Sequence, residues 1–167
     1  ETPTDETPST EGLEGFVFEG GHAEETLLLK LVDQAQKVAE ESESKVQALL
    51  KLLERFMEHT QEKVVIFTEF RDTLDLLERI LTKHGYGPMI VTYHGGTSPA
   101  DRDANRRAFL LNPNIRIFLA TDAASEGINL HKSCNTLIHV EIPWNPNRYE
   151  QRNGRIDRYG QLSKPQI

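Results

Sequence analysis

The sequence predicts a doubly wound α/β domain preceded by helices, and two observations carry that prediction. From Lys63 onward, short apolar runs alternate with segments in which apolar residues recur at helical spacing. The first run, Val64-Val65-Ile66-Phe67, is β-branched and continuous, the pattern of a strand buried on both faces. Strands that alternate with helices of this length imply βαβ units, hence a parallel sheet with helices on both faces.

The elements follow in order. After the first strand, the spacing predicts a helix over 71–84, with Leu74, Leu77, Ile80 and Leu81 inward and Gly85 as its stop. Ile90–Tyr93 reads as a second strand, Pro99–Leu111 as a helix and Ile115–Ala120 as a third strand. Thr136–Ile142 is expected to be the fourth strand and Pro146–Tyr159 the last helix. Upstream, 22–40 and 44–59 read as helices, the second with Val46, Leu49, Leu50, Leu53 and Phe56 on one face. Residues 1–21 are too polar to offset their ordering entropy and read as a tail or linker. The expected organisation is therefore a tail over 1–21, N-terminal helices over 22–60 and an α/β lobe over 61–167.

Charge is unevenly placed. The chain of 167 residues carries a formal charge of -7, yet residues 1–62 hold 15 acidic and 5 basic side chains, while 63–167 hold 11 acidic and 14 basic. The α/β part is thus mildly basic. No apolar run approaches the ~20 residues of a membrane span. The single cysteine, Cys134, excludes a disulfide framework and points to a reducing, cytoplasmic setting. It reads as a small core hydrophobe. The six histidines lack zinc spacing, so no metal site is expected. Trp144, between prolines, is expected to pack under its loop.

Ligands of open parallel sheets bind beyond the carboxyl ends of the strands. Three such ends stand out: Thr68-Glu69-Phe70, Tyr93-His94-Gly95-Gly96 and Thr121-Asp122-Ala123-Ala124-Ser125-Glu126-Gly127. The third sets small residues beside an acid, which lets a phosphate or ribose approach the backbone. It equally fits a helix cap at Asp122 with a turn at Gly127. In the last predicted helix, Arg148, Gln151, Arg155 and Arg158 share one face. No acid lies three or four residues from Arg148, Arg152, Arg155 or Arg158. Such a ridge is self-repelling until an anion, or carboxylates from elsewhere in the fold, meets it. Gly154 within that helix suggests a close backbone approach.

Val64–Phe70, Tyr93–Ser98, Ala120–Leu130 and Gln151–Gln161 stand in the order and spacing of motifs IV, IVa, V and VI of superfamily 2 helicases and translocases. ATDAASEGINL resembles motif V, and QRNGRIDRYGQ resembles motif VI with its QxxGRxxR core. The Tyr-Gly-Gln ending, Pro143–Pro146 and His94–Ser98 resemble the Swi/Snf branch, in its bacterial type. Ser125-Glu126 in motif V and Gly154 in motif VI depart from the usual Swi/Snf pattern.

The resemblance implies a RecA-like lobe, the second of two that enclose ATP. It implies that Arg155 and Arg158 are arginine fingers and that Gln151 orients them or touches phosphate. Asp122, Glu126 and Gly127 would face the nucleotide. Thr68, His94, Gly95, Thr97 and Thr121 would grip a nucleic-acid backbone, most naturally double-stranded DNA. A phosphate loop and an acidic box are absent from these residues, so ATP and Mg2+ would be held by the first lobe, and this chain alone would not hydrolyse ATP. The alternative is a non-catalytic clamp of the same fold, for nucleic acid or protein.

Overall fold

The computed structural model describes residues 26–31, 44–122 and 128–167. Two compact units divide between Glu41 and Ser42. In the first, 26–31 are helical, within the helix expected over 22–40; the remainder of that helix and the tail lie outside the described residues.

The second unit contains α1 (Ser44–His59), β1 (Val64–Thr68), α2 (Arg71–Lys83), β2 (Ile90–Tyr93), α3 (Pro99–Leu111), β3 (Ile117–Thr121), β4 (Thr136–His139) and α4 (Pro146–Asn153). The four strands form one parallel sheet in the order β2-β3-β1-β4. From β1 the chain runs through α2 to the far edge at β2, returns through α3 to β3, and then crosses to β4 beyond β1. The sheet is doubly wound, as the alternation of runs and helices predicts, and RecA-like, as the resemblance implies.

Period-2 alternation of side chains divides the core into two halves. Val64, Ile66, Ile117 and Leu119 face α1 and α2, meeting Val46, Leu49, Leu53, Leu74, Leu77, Ile80 and Leu81. Val65, Phe67, Phe118 and Ala120 face the other way, toward Phe109 of α3 and toward Ile128, Leu130, Leu137 and Ile156. Because α1 supplies three core residues, it shares one compact unit with the sheet.

Local chemistry sets the helix ends. Ser98 caps α3 by accepting the Asp101 N–H at 3.2 Å, with Pro99 in the first turn. Asn145 caps α4 in the same way through the Asn147 N–H. Helix α2 stops at Gly85, whose φ of +88° only glycine adopts cheaply. The N–H groups of Gly85 and Tyr86 then satisfy the carbonyls of Thr82 and Leu81, both at 3.0 Å.

Three expectations need correction. Helix α4 ends at Asn153, not at Tyr159. The Gly154 N–H closes the last turn on Glu150, and the chain then tightens so that Ile156 enters the core with no exposure. Gly154 is therefore a helix terminator, not a mid-helix contact point. Strand β4 ends at His139, not Ile142, because the Glu141 carbonyl and carboxylate are drawn into contacts at the sheet's rim. Trp144 is fully exposed and packs under nothing.

Candidate nucleotide and nucleic-acid site

The parallel register brings the informative strand ends to one rim. Thr68 lies opposite Thr121, and Phe67 lies opposite His139. Helix α4 runs along this rim, and its arginines are sorted there by partners distant in sequence.

Arg152 points inward and is only 1% exposed. Its Nε donates to Asp122 Oδ1 at 2.5 Å and its Nη2 to Oδ2 at 2.7 Å, a bidentate pair that fits a planar guanidinium. Nη1 donates to the Glu141 carbonyl at 2.8 Å and lies 3.3 Å from His139 Nδ1. The Phe67 ring lies beneath the guanidinium, 5.7 Å from its carbon. Sequence reasoning missed Arg152 as a site residue. Its signal was there, an arginine inside motif VI with no local acid, but the carboxylate that claims it is 30 residues away.

His139 completes this network. Its ring stacks on Tyr149 at 4.7 Å, and Nε2 lies 2.9 Å from Asn153 Oδ1. With Arg152 donating to Nδ1, the neutral ring carries its proton on Nε2 and gives it to Asn153. Burial pushes the His139 pKa down and outweighs the upward pull of the Asn153 hydrogen bond; the Arg152 charge lowers it further, and Asp122 opposes most weakly. His94 is lowered likewise by burial, Arg71 and Arg102, with Asp75 opposing.

A stability prediction follows from these two histidines. Both pKa values fall on folding, so the unfolded chain binds more protons once the pH drops through the ordinary histidine value of about 6.5. Stability should be full above that value and be lost progressively on acidification, until the lowered folded values are passed. Melting temperature followed from about pH 8 to about pH 5 should decline, and His139→Gln should flatten the decline. A wild-type melting temperature that does not change over this range would contradict the assignment.

Arg148 reaches Glu69 at 3.6 Å, while the Glu69 N–H donates to Glu141 Oε2 at 3.1 Å. The ridge expected along one helical face is therefore divided. Arg148 and Gln151 lie on α4, and Arg155 and Arg158 lie in the turns beyond it. Arg155 is half-buried and its carbonyl accepts the Leu130 N–H at 3.0 Å. Arg158 is exposed, and its Nη1 donates to the neutral Asn129 side chain. Gln151 is exposed. Asp122 sits at the end of β3 with both carboxylate oxygens on Arg152, whereas Glu126 and Gly127 lie outside the described residues.

The remaining predicted residues divide by exposure. Thr68 is fully buried with its hydroxyl unpartnered, and Thr121 is 4% exposed. The turn after β2 is open: Gly95 and Gly96 are exposed, and His94 and Thr97 are half-buried. The Thr97 N–H donates to the His94 carbonyl at 3.1 Å. Arg102 braces the turn by donating to the carbonyls of Thr97, at 2.9 Å, and of Gly95. The Arg71 guanidinium occupies the space a side chain at Gly96 would need. Two cations thus flank an exposed glycine pair, a feature the motif reading did not include.

Among the described residues, no cluster of His, Cys, Asp and Glu could hold a metal ion, and no helix is long and apolar enough to cross a membrane. Cys134 is buried, its thiol bonded to the Lys63 carbonyl at 3.0 Å, and burial pushes its pKa up to about 12. Such a thiol is not a nucleophile at neutral pH.

With the fold and rim in place, comparison with known proteins decides the family. The helicase conserved C-terminal domain matches residues 44–160. The chain belongs to that family. The chain is 36% identical over 139 residues to the uncharacterized ATP-dependent helicase YqhH of Bacillus subtilis (strain 168), covering 83% of this chain and 23% of YqhH. Its fold superposes on the C-terminal part of the Fun30 ATPase domain with a TM-score of 0.70 and 33% identity, over 75% of this chain and 40% of that one. The Sulfolobus solfataricus SWI2/SNF2 ATPase C-terminal domain shares the fold at a TM-score of 0.55 and 22% identity, over 76% of this chain and 60% of that one. The chain thus carries a helicase C-terminal lobe of the Snf2-like kind.

Proposed function

We propose that this lobe is the second half of an ATP-driven motor acting on nucleic acid, most naturally double-stranded DNA. In this reading it supplies Arg155 and Arg158 to ATP bound by a first lobe. The observation that carries it is the sorting of arginines at the rim. Arg148 and Arg152 are paired with carboxylates of the same fold, whereas Arg158 is exposed and bonds only a neutral amide among the described residues. Guanidinium donors of this kind suit phosphate oxygens. ATP, when bound with Mg2+ in the first lobe, supplies the phosphoryl group whose transfer develops negative charge. Arg155 and Arg158 would neutralise that charge, and Gln151 would orient their segment. The glycine turn at 94–97, flanked by Arg71 and Arg102, would meet the nucleic-acid backbone through main-chain amides and cations.

Division of labour between lobes has a direct test. The isolated 167-residue chain should release no phosphate from ATP above blank, even with saturating DNA, while the protein carrying both lobes should hydrolyse ATP faster when DNA is added. Turnover by the isolated chain would overturn the two-lobe reading. Binding of DNA by this lobe should be weak and fall steeply with salt, since few cations are available to displace counterions.

A further inference from the structure

Arg152 is the largest fully buried side chain of the described structure. A guanidinium in such a place is a costly way to fill space, and an apolar side chain would pack there as stably. What the ion pair supplies instead is geometry. A planar fork held at Asp122, the Glu141 carbonyl and His139 fixes three chain segments in one arrangement: the end of β3, the exit of β4 and the end of α4.

The segment carrying Arg155 and Arg158 begins immediately beyond this joint. Farther along, the Leu130 N–H bonds the Arg155 carbonyl, and Arg158 bonds Asn129. The stretch from Asp122 to Leu130 and the stretch from Arg152 to Arg158 are therefore stitched together at both ends. Arg152 thus joins the Asp122 end directly to the segment that carries Arg155 and Arg158.

We propose that Arg152 is a positioning residue for the hydrolytic reaction: it holds the Arg155–Arg158 segment at the height above the sheet at which those guanidinium groups meet the nucleotide. The inference rests on the finger reading above. Reacting groups must be held within about half an ångström, and a misplacement of about 1 Å can cost ~10²-fold in rate. Lysine keeps the charge of Arg152, but its three N–H donors radiate from a single nitrogen, so it can satisfy Asp122 without also spanning the other two partners.

The test compares Arg152→Lys, Arg155→Ala and Leu53→Ala in the protein carrying both lobes, with saturating DNA. Leu53 is fully buried on the opposite side of the sheet, so its variant reports destabilisation alone. Arg152→Lys should lower kcat for ATP hydrolysis by about 10- to 100-fold with KM for ATP within about threefold, and Leu53→Ala should keep kcat. If Arg152→Lys fails to fold, Asp122→Asn, which preserves shape but removes the carboxylate, is read by the same criteria. Retention of kcat in Arg152→Lys while Arg155→Ala is inactive overturns the positioning role. Parallel loss of activity and melting temperature in Arg152→Lys and Leu53→Ala also overturns it, leaving a purely structural residue. Full activity in Arg155→Ala overturns the finger reading itself, and this inference with it.

Discussion

Alanine at Arg155 or at Arg158, in the protein carrying both lobes, is expected to reduce ATP hydrolysis by about 10³-fold or more while nucleic-acid binding stays within about threefold. The size of the effect comes from where charge develops. In phosphoryl transfer the protein does little covalent chemistry, so a guanidinium placed against the transferred group stabilises the transition state more than the ground state. Binding should be spared because the proposed nucleic-acid contacts lie at the other end of the rim, in the turn after β2. Steady-state phosphate release and DNA binding at fixed salt would separate the two quantities. If hydrolysis survives both changes, the lobe is a clamp and not a catalytic half.

Phe118→Ala is expected to destabilise the lobe by about 3–5 kcal/mol and to lower its melting temperature by roughly 10 °C. Phe118 has no exposure and lies in β3, paired with Val65 of β1 on one side and Val91 of β2 on the other. Its ring packs against Tyr93 at 5.5 Å and Phe109 at 5.0 Å. Truncation would remove both aromatic contacts and leave a cavity that hydrogen-bonded strands on each side keep from collapsing. Urea and thermal unfolding would measure the loss. A cost below about 1 kcal/mol would mean that this face of the sheet is not the packed core described.

Much of the architecture was legible because its signals are local. Val64–Phe67 and Ile117–Ala120 are apolar on every residue, as strands covered on both faces are. Pro99, Gly85 and Pro146 marked helix boundaries through local backbone preferences, and the structure places boundaries there. The errors arose where a long-range demand overrode a local pattern. Helical spacing continues past Asn153, but burial of Ile156 and the bond between Arg155 and Leu130 turn the chain out of the helix. Beyond His139 the Val140 N–H still bonds the Phe67 carbonyl, and pairing stops at Glu141, which serves Arg152 and Glu69.

By itself, the sequence determined the parallel α/β order, the placement of the motifs at the carboxyl rim and the resemblance that led to the helicase family. Each depends on residues close in the chain or on fixed motif spacing. Only the tertiary structure decided which arginine is inward and which outward. Arg148, Arg152, Arg155 and Arg158 look alike in one dimension, for none has an acid three or four residues away. The desolvation of a guanidinium is tolerable where a carboxylate and a carbonyl converge on it, and the ends of β3 and β4 provide both to Arg152.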